Sequence, residues 1–174
     1  MTAIEFRNGI IDWLHKYGFT NVKSVVCHTD SAYDMENHEI RIGLEKIENV
    51  DEWFEEFLIE RGLGWENIPS PVLQFLHELG HSQTVHDYTQ EQLMMCRFLK
   101  DFIGPTDVSK ESAIKYWKIM DELAANEWLI NFANKEIDAI AELCQWFIDH
   151  WEDSIDDLMK EVWNSSISEN KTYT

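Results

Sequence analysis

Residues 70–84 read Ser-Pro-Val-Leu-Gln-Phe-Leu-His-Glu-Leu-Gly-His-Ser-Gln-Thr. Ser70 can cap the exposed amides of a helix start, and Pro71 in the first turn loses no hydrogen bond there. The stretch therefore reads as a helix. On it His77 and His81 are four residues apart and rotated by only about 40° around the axis, so both imidazoles can meet one ion. Zinc suits such a pair. Neutral imidazole nitrogens bind it at about 2.0–2.1 Å, and a catalytic site takes three protein ligands and keeps a further position for water. Glu78, beside the first histidine, points past the ion rather than at it, where its carboxylate can accept a proton from water. Gly80 leaves the following turn unobstructed.

Five residues are a short pattern in a chain with 33 Asp and Glu and seven His, so a third ligand from elsewhere has to carry the assignment. No histidine follows in the spacing of the zinc peptidases that use a third one. Residues 121–133 instead read Asp-Glu-Leu-Ala-Ala-Asn-Glu-Trp-Leu-Ile-Asn-Phe-Ala. Glu122 and Asn126 there share one helical face. The small side chains of Ala124 and Ala125 let that helix come close to an ion.

Taken together, HELGH and Glu122-Leu123-Ala124-Ala125-Asn126 resemble the paired motifs of the gluzincins, zinc peptidases that combine HExxH with a glutamate from a later helix, ExxA(D/N). The similarity is closest to the small cytoplasmic members, the minigluzincins and the phage-repressor and stress-regulator peptidases. In those the second motif continues to a Phe-Ala pair. Phe132-Ala133 stands two or three residues later than that pattern places it. The resemblance spans residues 20–134 and leaves the last forty outside. It implies a zinc-dependent peptidase with Glu122 as third ligand and Asn126 hydrogen-bonded to a ligand histidine. It also implies a zincin-like α+β domain whose edge strand, ahead of the motif helix, receives an extended peptide. An oxyanion-stabilising donor is the part left open. His86, Tyr88 and Tyr116 are candidates by chain position alone, and the helical phase of His86 carries it away from the ligands.

Outward from the motif helix, Phe6, Ile10, Leu14 and Tyr17 predict a first helix over 4–17, ended by Gly18 and weakened by Gly9. Residues 21–44 change period. Val22, Val25 and Val26, then Ile40, Ile42 and Leu44 in alternation, predict two or three antiparallel strands around a turn at SAYDMEN. Asp51 is placed to cap a helix bearing Trp53, Phe54, Phe57 and Leu58, stopped by Gly62 and Gly64. Thr89 with Gln92 predicts a capping box and a helix to Phe102, closed by Gly104-Pro105. One helix is expected over 110–134 and another over 136–163, a C-terminal extension with apolar residues at three-four spacing. A polar tail, 164–174, follows. The expectation is a single domain of α+β class, a small antiparallel sheet with the motif helix beneath it and a mainly helical C-terminal half.

The chain has 174 residues, 44% of them apolar, enough for one sizeable core. Its formal charge of -19 repels phosphate backbones and anionic surfaces, which argues against nucleic acid and membranes as partners; a peptide or protein substrate is what the resemblance implies. Cys27, Cys96 and Cys144 have no ligand spacing and read as buried thiols. Glu5 and Asp12 interrupt what would be the apolar core of a signal peptide, and no run approaches a membrane span, so the expected location is cytoplasmic. His15, His28, His38 and His150 lack any paired spacing. The eight tryptophans fall at core positions of helices. Two other readings stand beside the peptidase. One is a zinc-stabilised protein-binding module without turnover, and the other an acidic interaction protein, even a nucleic-acid mimic, without metal. For the acidic last helix, packing on its own chain, pairing with a second copy as a homodimer and lying across the cleft as an inhibitory segment are all open.

Overall fold

The computed structural model describes residues 1–171, which form seven α-helices, three strands and a 3₁₀ turn at Val85–Asp87 in one α+β arrangement. The helices are α1 (Ala3–Lys16), α2 (Glu48–Glu60), α3 (Ser70–Thr84), α4 (Gln90–Ile103), α5 (Lys110–Trp117), α6 (Met120–Lys135) and α7 (Ile137–Lys171); the strands are β1 (Ser24–His28), β2 (Ala32–Asp34) and β3 (Glu39–Gly43). One core runs from Phe6 and Ile10 through Ile40, Ile42, Leu73 and Leu76 to Leu143 and Phe147.

The motif helix lies at the centre. Val72, Leu73, Phe75, Leu76 and Leu79 are buried on different sides of α3, the mark of a helix covered all round. It packs against β3 and β2 and against α6. Its start differs by one position from expectation: Pro69 is the cap residue, Ser70 makes no capping bond, and Pro71 still falls in the first turn.

The sheet is mixed rather than antiparallel. Its order is β1-β3-β2, with β2 antiparallel to β3 but β1 parallel to it, Val25 opposite Ile40 and Cys27 opposite Ile42. The cause is the short link after β1. Residues 29–31 cross the end of β3, held by Gly43 N donating to Ser31 Oγ at 2.9 Å, so β2 lands on the far side. A Cβ at Gly43 would stand 2.7 Å from Ser31 N, and only glycine admits the crossing. Hydrophobic alternation along a strand is the same for either direction of pairing, which is why it did not announce this.

Three helix boundaries also differ. The second helix begins at Glu48, ahead of Asp51, with no side-chain cap. The stretch expected as one helix over 110–134 is broken at Lys118-Ile119 into α5 and α6. The last helix continues through the stretch expected as a polar tail, to Lys171; residues 172–174 lie outside the described residues. The capping box at Thr89 and Gln92 forms as expected, with Thr89 Oγ1 accepting from Gln92 N.

α7 is part of the core rather than an appendage. Ala139, Ile140, Leu143 and Phe147 are buried, Trp13 Nε1 donates to Ala139 O at 2.9 Å, and a Cβ on Gly9 would come within 2.0 Å of the Trp146 ring. Gly9, a weakness in helix propensity, is what lets α1 and α7 meet.

Candidate metal centre

His77 and His81 leave the same side of α3, their ring centroids 4.7 Å apart. Glu122 reaches them from the first turn of α6, where the helix dipole favours a carboxylate. Its Oε2 lies 2.9 Å from His77 Nε2 and its Oε1 lies 3.3 Å from His81 Nε2, while the two Nε2 atoms are 3.1 Å apart. Three ligands at about 2.0–2.1 Å from a tetrahedral zinc stand about 3.3–3.4 Å from one another. Two nitrogens and a carboxylate oxygen somewhat inside that spacing are a donor set that could hold a metal ion.

The close approach of α3 and α6 has a local cause. At Gly80 a Cβ would lie 2.6 Å from Ala125 O, so the glycine of HELGH and the small residue of the second motif meet backbone to backbone. Asn126 is fully buried behind the site. Its Oδ1 accepts from His77 Nδ1 at 2.8 Å, which orients the ring with Nε2 facing Glu122. Its amide donates to Trp117 O at 3.3 Å, a carbonyl freed by the break between α5 and α6. The break that interrupts the expected helix thus holds the supporting asparagine. Phe54 packs edge-on to the His77 ring at 5.6 Å.

Glu78 is buried at 7% exposure, and its carboxylate comes within 4.8 Å of both histidine nitrogens. Burial, the largest influence, raises its pKa above the ordinary carboxylate value, opposed by the charges of His77 and His81. Asp121 also falls within 4.8 Å of the donor atoms of His81 and Glu122, but the shortest contacts to the imidazoles are those of Glu122. Glu122 is held well below the usual carboxylate range: its burial would raise it, and hydrogen bonds from both histidines outweigh that.

One charged neighbour of Glu122 was not expected. Lys100 on α4 extends its ammonium to 2.5 Å from Glu122 Oε1 and 2.6 Å from Asp121 Oδ2. No spacing in the sequence links residue 100 to 122; only the packing of α4 beside α6 brings them together.

Of the three oxyanion candidates, the structure brings only Tyr116 to the site. It lines the same cleft as His77, Glu78, His81 and Glu122. Burial pushes its hydroxyl up to about 12, so it remains a donor at neutral pH. Tyr88 instead donates to Met120 O at 3.3 Å, and His86 is exposed on the 3₁₀ turn; neither lines the cleft. His28 pairs with Asp30, His38 sits against Tyr33, and His150 packs on Trp146, all away from α3. Phe132 stacks on Trp128 and Ala133 is buried, both serving the core. The cysteines are unpaired, and burial pushes Cys27 to about 12 and Cys144 to about 11, out of the reactive range.

The cleft measures about 1280 Å³ and runs from the histidines past Ala32, Tyr33 and Asp34 of β2 to Trp151 and Ile155 of α7. The outer edge of β2 has no strand beside it among the described residues. No described helix is long and apolar enough to cross a membrane. Comparison with protein-family models, with curated proteins and with solved structures found no match to this chain.

Proposed function

We propose that this chain is a zinc-dependent peptidase of gluzincin type on a zincin-like fold, with His77, His81 and Glu122 holding the ion and Glu78 as general base. The carrying observation is the arrival of Glu122, from a different helix, within 2.9 and 3.3 Å of two imidazoles that already face each other. A chance HExxH on a solvated helix has no reason to be buried against a carboxylate and a supporting amide. This arrangement counts against the reading as an acidic interaction protein without metal.

Zinc held by His77, His81 and Glu122 would supply a Lewis acid and make water in the site more acidic. Glu78 accepts the proton of the attacking water and returns it to the departing amine. Its raised affinity for protons suits both halves of that transfer. The Tyr116 hydroxyl serves as the donor to the oxygen on which charge develops. Asn126 fixes the tautomer of His77. A cleft of about 1280 Å³ exceeds the ~300–1000 Å³ of small-ligand sites, and the open edge of β2 offers backbone groups to an extended chain. Both features favour a peptide substrate. Three unpaired cysteines agree with a reducing, cytoplasmic setting.

A second reading keeps the zinc and drops the turnover, a zinc-stabilised binding module: His77, Glu122 and Asn126 are all buried and join α3 to α6, so an ion there would tie two core helices together whether or not anything is hydrolysed. Elemental analysis and Glu78→Gln separate the two. The peptidase reading expects one zinc per chain in both proteins, and hydrolysis of a mixed peptide library that falls about 10²–10⁴-fold in the variant. Zinc retained with no cleavage by either protein selects the binding module, and purified protein that takes up no zinc defeats both.

A further inference from the structure

α4 is inverted relative to an ordinary surface helix. Only Cys96 is buried on it, and its outward side carries Met94 at 70% exposure, Met95 at 58%, Phe98 at 66% and Phe102 at 82%. Glu91, Met95, Phe98 and Phe102 follow at spacings of four, three and four, the seam of a helix that packs against another helix. Glu91, Met94, Met95 and Phe98 also enclose a shallow groove of about 420 Å³. Four residues at i, i+3, i+4 and i+7 are the hole into which a facing helix sets one side chain.

We propose that this face of α4 is the contact between two copies of the chain, paired antiparallel about a two-fold axis at Phe98. In that arrangement Phe102 of each copy fills the groove of the other, Met94 lies against Phe102 of the second copy, and the two Phe98 rings meet on the axis. A single patch thus supplies both knob and hole, as a two-fold interface requires. The parallel alternative would set Glu91 against Glu91; the antiparallel pair turns each toward the Gly104-Pro105 end of the other helix. At ~200 Å² per large side chain, the exposed fractions leave roughly 550 Å² of apolar surface on this face, so two copies together bury about 1100 Å², above the ~1000 Å² a specific interface needs, and the patch is at the upper limit for a monomer. Charge points the same way. Two chains of net charge -19 repel one another, whereas Met94, Met95, Phe98 and Phe102 carry no charge, so copies can approach on this face.

Sedimentation velocity of the full chain over a concentration series tests this. The expected result is a reversible dimer that tightens as salt rises, because screening relieves the repulsion between copies. Phe102→Glu weakens dimerisation by about tenfold or more with an unchanged circular dichroism spectrum. Trp163→Glu, on the exposed side of α7, leaves it intact. Phe98→Cys cross-links to its own counterpart under oxidation, and Met94→Cys does not. A chain that stays monomeric throughout, a dimer broken by Trp163→Glu but not by Phe102→Glu, or cross-linking through Met94 in place of Phe98 overturns the proposal. So does a monomer whose α4 face is instead occupied by phosphatidylglycerol vesicles in a flotation assay.

Discussion

The Lys100 ammonium sits 2.5 Å from Glu122 Oε1, on the carboxylate that also faces His77 and His81. A cation therefore already neutralises the Glu122 carboxylate from the side of α4, and any divalent ion would compete with it for that charge. Lys100→Met should lower the melting temperature of the metal-free protein, since Asp121 and Glu122 lose their common partner. It should raise zinc affinity by about tenfold, the effect of removing a like charge near the ion. Competition titration against a chromogenic chelator reads the second effect, and unchanged affinity would show that Lys100 withdraws freely.

Gly80 is the point where α3 and α6 touch. With Ala125 O 2.6 Å from the position of a Cβ, Gly80→Ala forces the helices apart despite the better helix propensity of alanine. The overpacking should cost about 1–3 kcal/mol in urea denaturation and weaken zinc binding at the same time, because Glu122 rides on the displaced helix. A variant as stable as the parent would mean that the two backbones are less closely apposed than they stand here.

The metal-free protein should lose stability as pH rises above neutrality. Burial works against a charged His77, but the hydrogen bond and charge of Glu122 prevail and raise it from 6.5 to about 9. A group whose folded pKa lies above its unfolded value stabilises fully below the unfolded pKa, and that contribution is lost as pH climbs through the folded one. For His77 the window runs from 6.5 to about 9. Glu122, held well below 4.5, works in the opposite direction, and its contribution disappears only in acid. Denaturation in chelator should therefore show a decline across the upper window that Glu122→Gln flattens, while zinc affinity increases over the same range as protons leave the ligands.

What could be read from sequence follows from how local each signal is. HELGH places two imidazoles on one helical face because the α-helical period is fixed, and that relation survives into the structure without adjustment. Glu122 became legible only through the second motif, since a lone glutamate in a chain this acidic is otherwise one of many. Lys100 had no such signature. It reaches the centre by tertiary packing of α4, whose apolar residues face outward and whose periodicity therefore gives no hint of which side faces the core. The parallel pairing of β1 with β3 was illegible for a related reason: alternation assigns faces, not direction. Gly43 marked the crossing but reads equally well as the end of a strand. The break at Lys118-Ile119 carries neither Pro nor Gly, so continuous helical periodicity masked it.

That break yields the sharpest test of the supporting shell. Asn126 accepts from His77 Nδ1 at 2.8 Å and donates its amide to Trp117 O at 3.3 Å, so one fully buried side chain ties His77 to the loop that aims α6. Its two functions are separable by chemistry. Asn126→Asp keeps an acceptor for the imidazole and loses the donor to Trp117 O, whereas Asn126→Leu loses both and leaves the Nδ1 proton of His77 buried without a partner. The leucine variant should reduce zinc affinity about 10–100-fold and destabilise the fold by about 1–3 kcal/mol. The aspartate variant should retain zinc more nearly, because a carboxylate on Nδ1 raises the basicity of Nε2, while its melting temperature falls with the lost bond to Trp117. Zinc competition and thermal melting, measured on the same preparations, should thus rank the two variants differently. If both lose zinc and stability in parallel, Asn126 acts only as a packing residue and the tautomer of His77 is set by something else.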